Sequence, residues 1–422
     1  MAPRLDVEFV RSQFPAFSEP SLDGWAFFEN AGGSYVCRQV IDRLTAFYTK
    51  TKVQPYGPYP ASVTAGEWMD ESYTAFAGYL NVGEDEVNFG PSTSQNTYVL
   101  ANALRPMWAD GDEIVVSNQD HEANAGVWRR LADTGLVVRE WTVNPETGRL
   151  DPDDLDQLLS DRTRLVAFPH ASNVVAHVNP VAEISARAHS VGAITVVDGV
   201  SYAPHGLPDV AALGADVYLF SLYKTWGPHL GLMTIRRELL DQLSNQGHYF
   251  NAGDPHKVVT PAGSDHAQIA AAAGIIHYLD ALHDHHFGAS TTSSLSDGDG
   301  AAEPAERGRR VHDLIQDHER RLLAPLLAWL RDRTDVRIIG PDDPAVRAPT
   351  VAVIPLNRPI DQVVSVLTDH RLMVGSGHFY AVRPLEGMDV AIEPGVLRLS
   401  FVHYTTAAEV DQLTAGLADA LA

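Results

Sequence analysis

The stretch AITVVDGVSYAPHGLPDVAALGADVYLFSLYKTWGPHLG (193–231) holds two short apolar strands, AITVVD (193–198) and DVYLFS (216–221), each running into a polar turn. Asp198 closes the first strand and Lys224 follows the second. Both therefore fall at the carboxyl edge of a sheet, where open α/β sheets bind their ligands. Taken singly, Asp198 reads as a turn or helix-cap residue and Lys224 as a solvated charge. Taken together, they form the pair that pyridoxal phosphate requires. A lysine beside Tyr223 and Trp226 is desolvated, which lowers its pKa and suits it to Schiff-base formation. A carboxylate keeps the pyridine nitrogen protonated, so that the ring can accept the electron pair left at Cα when a bond there breaks.

Outward from this stretch the pattern repeats. EVNFG (86–90), EIVVSN (113–118), LVVREWTV (136–143) and RLVAFP (164–169) precede it, alternating with helical runs at 93–104, 124–133, 152–160 and 181–192. GLMTIRR (231–237) follows it. About seven strands with intervening helices predict an α/β fold, with a mainly parallel seven-stranded sheet in a large domain. VRII (336–339), TVAVIPL (350–356) and VLRLSFV (396–402), with helices at 311–332, near 360–370 and at 407–421, predict a smaller C-terminal α+β domain. Pro325 is expected to kink the first of those helices. ASTTSSLSDGDGAAEPAERGR (289–309) is rich in small and polar residues and reads as a surface insertion or mobile loop. The expected organisation is an N-terminal arm (1–24), the large domain (25–288), the insertion (289–309) and the small domain (310–422).

Composition narrows the function classes. The 422 residues carry 54 acidic and 31 basic side chains, a formal net charge of −23. Such a body repels phosphate backbones, so no nucleic-acid partner is expected. Apolar residues make up 45%, in no run long enough to span a membrane, so no membrane partner is expected either. MAPRLDVEFVRSQF at the start has no signal-peptide core, which predicts a cytoplasmic protein. The single cysteine, Cys37, excludes an internal disulfide and a multi-cysteine metal site. HDHH (283–286) reads as a helix-end histidine cluster, and SDGDG (296–300) lacks the rest of a calcium loop, so no metal is expected.

VVDGVSYAPHG (196–206) and GADVYLFSLYKTWGPHLG (214–231) resemble the fold-type I pyridoxal-phosphate enzymes of aminotransferase class V, and within them the cysteine desulfurase-like branch. The resemblance runs from FFENAGG (27–33) to VLRLSFVHYTT (396–406). It implies Lys224 as the lysine that bonds the cofactor and Asp198 as the partner of the pyridine nitrogen. His121, in NQDHEAN (118–124), is implied as the catalytic histidine stacked on the ring. Asn173, in HASNVVAHVNP (170–180), and Ser201 are implied as contacts near the phenolic oxygen. Ser92, Thr93 and Ser94, in GPSTSQN (90–96), are implied phosphate ligands, on a strand-to-helix turn whose N–H groups suit an anion. Ser221 and Tyr223 join that set. Gly263 and Ser264, in TPAGSDHAQ (260–268), match the segment that reaches a partner subunit's phosphate, which implies a homodimer with sites at the interface. Arg398 is implied as the planar fork for the carboxylate of a small amino-acid substrate. Asn30 and Gly32 of the NAGG turn (30–33), with His378, are implied to line the substrate pocket.

The chain departs from the desulfurase pattern at several positions. Desulfurases place a nucleophilic cysteine after Gly-His on a small-domain loop, and GSGHFYAV (375–382) puts Tyr380 there. Cys37 is expected to be structural. Ser201 stands for a glutamine, Glu122 for a second histidine and Tyr223 for another. The resemblance therefore implies an enzyme that forms an aldimine and a Cα carbanion, most simply a lyase performing β-elimination or C–S lysis without a catalytic cysteine. A class V aminotransferase or amino-acid epimerase is the alternative, and a non-catalytic binding protein on the same scaffold is the alternative of another class.

Overall fold

The computed structural model describes residues 3–288 and 302–422. Its centre is a seven-stranded sheet built from β1 (Val87–Gly90), β2 (Glu113–Ser117), β3 (Val137–Trp141), β4 (Thr163–Pro169), β5 (Ile194–Asp198), β6 (Val217–Ser221) and β7 (Gly231–Ile235), in the order β1-β7-β6-β5-β4-β2-β3. Only β7 runs against its neighbours; the other pairings are parallel. Strands covered on both faces read as continuous apolar runs, and alternate residues enter opposite cores. Val115, Val166, Phe168, Val197 and Phe220 pack on one face, while Ile114, Leu165, Val196, Val217 and Leu219 pack on the other.

Helices cover these faces. α1 (Arg38–Lys50) and α2 (Pro60–Leu80) pack against the long α6 (His266–Phe287), whose small residues allow close approach. A Cβ at Gly274 of α6 would meet the Val40 nitrogen at 2.6 Å. α3 (Thr93–Leu104), α4 (Glu122–Arg129) and α5 (Val181–His189) are crossover helices between strands.

A second, antiparallel sheet contains β8 (Val336–Ile338), β9 (Thr350–Pro355), β10 (Gly375–Gly377) and β11 (Val396–Ser400), in the order β10-β11-β9-β8. Val351, Val353, Leu397 and Leu399 pack in one core with leucines of α7 (Ala302–Arg331), α8 (Ile360–Asp369) and α9 (Ala407–Leu421). The alternation that buries Leu397 and Leu399 there turns Arg398 to the opposite face.

One expectation is corrected. Of the proposed 289–309 insertion, residues 289–301 lie outside the described residues, but 302–309 are the first turns of α7. The segment is rich in loop-like residues, yet Glu306 pairs with Arg309 and Arg310, and Arg307 pairs with Asp280 and Asp284 on α6. Those ion pairs and the buried Ala305 favour helix over loop. Pro325 lies inside the same helix. His285 and His286 of the HDHH run tie down the N-terminal segment: both bond Asp6, and His285 stacks on Phe9 at 3.9 Å.

The start of β7 presses on the N-terminus of α3. A Cβ on Gly231 would lie 2.5 Å from the Ser92 carbonyl carbon and the Thr93 nitrogen. Backbone on both sides leaves little room to yield, so Gly231→Ala is expected to cost about 1–3 kcal/mol of stability, the usual cost of overpacking. Thermal unfolding of the variant measures this; an unchanged midpoint would contradict the packing.

Candidate active site

The parallel strands bring their carboxyl ends to one edge. Asp198 ends β5, Ser221 ends β6, and Lys224 sits on the single 3₁₀ turn, Leu222–Lys224, that follows. That turn is pinned from both sides. Leu222 donates its N–H to Leu230 O at 2.9 Å, Ser34 donates its N–H to Tyr223 O at 3.0 Å, and the Ser34 hydroxyl donates to Lys224 O. A cavity of about 220 Å³ opens at this edge, lined by Thr93, His121, Asn173, Asp198, Ser221 and Lys224. Ser92, Ser94, Ser201 and Tyr223 line it too. Sequence reasoning missed Asp120, Val200 and His229 in the same wall. The signal for Asp120 was its place beside His121, just beyond β2.

The cavity wall combines hydroxyls with carboxylates. The Thr93 and Ser221 hydroxyls lie 2.7 Å apart at the N-terminus of α3, which Ser92 caps by accepting the Gln95 N–H. Asp198 Oδ1 accepts the Val200 N–H at 2.8 Å. Burial pushes the Asp198 carboxyl up to about 6, against the pull of that N–H and of Lys224. Asp120 is driven well above the usual carboxylate range, first by burial and then by repulsion from Asp198. It also accepts the His121 N–H at 2.9 Å and Asn124 Nδ2 at 2.7 Å. Burial pulls the Lys224 ammonium from 10.5 to about 8, helped by Arg398 and opposed by Asp198 and Glu29. His121 falls to about 3, through burial and then the charges of Lys224 and Arg398, so it is neutral at pH 7. Its Nδ1 accepts the Ala123 N–H at 3.0 Å, which leaves the proton on Nε2.

Other expected residues lie outside this wall. Gly263 and Ser264 line a second cavity of about 590 Å³, which shares His229 with the first. Asn30 is held by backbone, donating to Phe27 O and Ser400 O at 3.2 Å and accepting from the Tyr404 hydroxyl. Gly32 packs on Glu29. His378 Nδ1 accepts the Tyr380 N–H at 3.1 Å. Arg398 is buried and paired with Glu29, a residue the sequence reading passed over. Phe379 and Tyr380 have φ of 50° and 57°, a left-handed backbone that costs non-glycine residues about 1–3 kcal/mol each. The loop is clamped across the cavity: Phe379 O accepts Asn173 Nδ2 at 2.9 Å, and Tyr380 O accepts the Glu122 N–H at 3.1 Å. The Tyr380 and His121 rings stand 5.4 Å apart. Cys37 is fully buried, its thiol pushed up to about 12 by burial, with Sγ on Gly274 O at 3.7 Å.

The family model described as aminotransferase class-V matches residues 26–283 and 311–413. The chain belongs to this family. Class V aminotransferases depend on pyridoxal phosphate, and relatives and solved structures alike tie the chain to the cysteine desulfurase-like branch. It is 34% identical to the aminotransferase-like protein FGM3 of Gibberella zeae, over 97% of each chain. It is 31% identical to the cysteine desulfurase-like protein ustD of Aspergillus flavus, over 96% of this chain and 88% of that one. It is 30% identical to a probable cysteine desulfurase of Streptomyces coelicolor, over 98% and 96%. Among solved structures, a cysteine desulfurase of Thermococcus onnurineus superposes with a TM-score of 0.82 at 24% identity, covering 98% of both chains.

The residues present fit the class V cofactor. A dianionic phosphate suits the hydroxyls and free N–H groups at the start of α3, a pyridinium suits Asp198, and the buried Asn173 Oδ1, which has no partner among the described residues, suits a donor on the ring or its substituents. Lys224 offers a buried amine of the kind the cofactor's aldehyde takes. Only a neutral amine attacks an aldehyde, so cofactor capture by cofactor-free protein is expected to rise about tenfold per pH unit up to pH about 8 and then level. Absorbance stopped-flow measures it. Levelling only near 10.5, the ordinary value, would contradict the burial of Lys224.

Proposed function

We propose that this class V enzyme is a lyase that eliminates a β-substituent from a small amino acid, by β-elimination or C–S lysis, without a catalytic cysteine. The observation that carries the reading is the pairing of a buried, low-pKa Lys224 with a chain whose single thiol is buried and held protonated. Tyr380, on the loop across the cavity, has no nucleophilic sulfur to accept a persulfide.

The chain's own groups divide the work. Bound pyridoxal phosphate supplies the electron sink that makes the Cα proton acidic. Thr93, Ser94 and Ser221 bind the phosphate, and Asp198 holds the proton on the ring nitrogen. His121, kept neutral by burial, covers the ring without adding a charge. Arg398 binds the substrate carboxylate. The Lys224 amine takes the Cα proton as general base, and the β-substituent leaves with its bonding pair. The Lys224 amine, taking back its bond to the cofactor, would displace the product's nitrogen and free an enamine, which tautomerises and is hydrolysed by water to a keto acid and ammonia. We also propose that the enzyme works as a homodimer, a reading supported by the exposed Tyr249 and Phe250 and by the apolar cavity that holds Gly263 and Ser264.

A second reading, transamination, is favoured by the 34% identity to the aminotransferase-like protein of Gibberella zeae. S-Methyl-L-cysteine, whose thiolate leaves far less readily than a halide, separates the two. The lyase reading expects pyruvate, ammonia and methanethiol in equal amounts with no keto-acid acceptor present, and a loss of about 10²–10⁴-fold in Lys224→Ala. Strict dependence on a keto-acid acceptor would overturn it.

A further inference from the structure

Arg398 is expected to hold the substrate's carboxylate, yet its guanidinium is already engaged. Nη2 donates to Glu29 Oε1 at 2.6 Å, and Nη1 donates to Asn173 O at 3.4 Å. The Phe379 ring lies 3.7 Å from the guanidinium carbon. Nε is buried with no partner among the described residues, and Arg398 is absent from the wall of the cavity that holds Lys224. Any carboxylate that reaches this arginine has to replace something, and Glu29 is its only anionic partner among the described residues.

Glu29 occupies a built seat. A Cβ at Gly32 would fall 2.8 Å from Glu29 Oε1, and one at Gly375 would fall 2.5 Å from Oε2. The two glycines leave a slot that fits this carboxylate. The seat also borders solvent. The Glu29 side chain is 26% exposed against 3% for Arg398, while Oε2 is buried without a partner among the described residues. A buried guanidinium left without an anion is costly, whereas a quarter-exposed carboxylate has water at hand.

We propose that Glu29 is a specificity-determining residue: it holds the carboxylate position of Arg398 in the resting enzyme, and an amino acid binds by exchanging its own carboxylate for that of Glu29. The exchange swaps one anion for another, so the buried charge is conserved. An amide or a simple amine brings no anion and cannot drive it. The enzyme therefore admits α-carboxylates and rejects their neutral analogues, and Glu29 weakens every carboxylate ligand by competing with it. The inference rests on Arg398 being the carboxylate-binding residue.

The test measures dissociation constants of L-alanine and L-alaninamide on the holoenzyme, from the absorbance of the bound cofactor, in wild type, Glu29→Gln, Glu29→Asp and Arg398→Gln. Glu29→Gln is expected to bind L-alanine roughly tenfold more tightly and L-alaninamide within about twofold of wild type. Unchanged or weaker L-alanine binding, or none, in a variant that retains the cofactor overturns the proposal. If Glu29→Gln fails to fold, Glu29→Asp decides. It keeps the charge but withdraws it by a methylene, so a gain of roughly twofold to threefold is expected, and no gain overturns the proposal. A preference for L-alanine over its amide that survives in Arg398→Gln would instead remove the assignment of Arg398.

Discussion

A lysine amine buried at the carboxyl edge of a sheet is costly, and the site is arranged around that cost. Desolvation alone penalises the charged form, and Arg398 adds repulsion. Asp198 and Glu29 offset part of it. The outcome is an amine whose pKa falls to about 8 while it stays fixed on a turn tied to Leu230 and to Ser34. The same burial keeps His121 neutral and raises the Asp120 and Asp198 carboxyls, so one enclosure shifts the protonation of four side chains.

The enclosure depends on both sheets. The seven-stranded sheet supplies Asp198, Ser221 and Lys224 from consecutive strand ends. The antiparallel sheet supplies Arg398, turned inward because Leu397 and Leu399 are claimed by α7, α8 and α9. Glu29, from the segment that forms a bridge with Ser400, holds that arginine, and the loop carrying Phe379 and Tyr380 covers it. Strained backbone at two consecutive aromatic residues is tolerated there because Asn173 and Glu122 clamp the carbonyls of both.

Much of this was legible in the sequence, for a physical reason. Strands buried on both faces announce themselves as short β-branched runs, and chemistry placed at their ends is local in the chain. Asp198 and Lys224 could be assigned to one edge on that basis, with Thr93 on a recognisable strand-to-helix turn, whereas Ser221 followed from the resemblance alone. What was not legible is contact between distant segments. Glu29 and Arg398 are 369 positions apart, and nothing in FFENAGG marks the glutamate as a partner for a strand arginine. Asp120 carries only its place beside His121 as a signal, and its coupling to Asp198 follows from the fold. The 302–309 segment misled through composition, because the ion pairs that make it helical reach across to α6.

The central claim is that Lys224, and no other lysine, bonds the cofactor within this enclosure. Borohydride reduction of the holoenzyme, followed by peptide mass mapping, tests it most directly. The account predicts a reduced phosphopyridoxyl group on the peptide containing Lys224 and loss of that group in Lys224→Ala. A label on another lysine, or none in a protein that retains the cofactor, would contradict it.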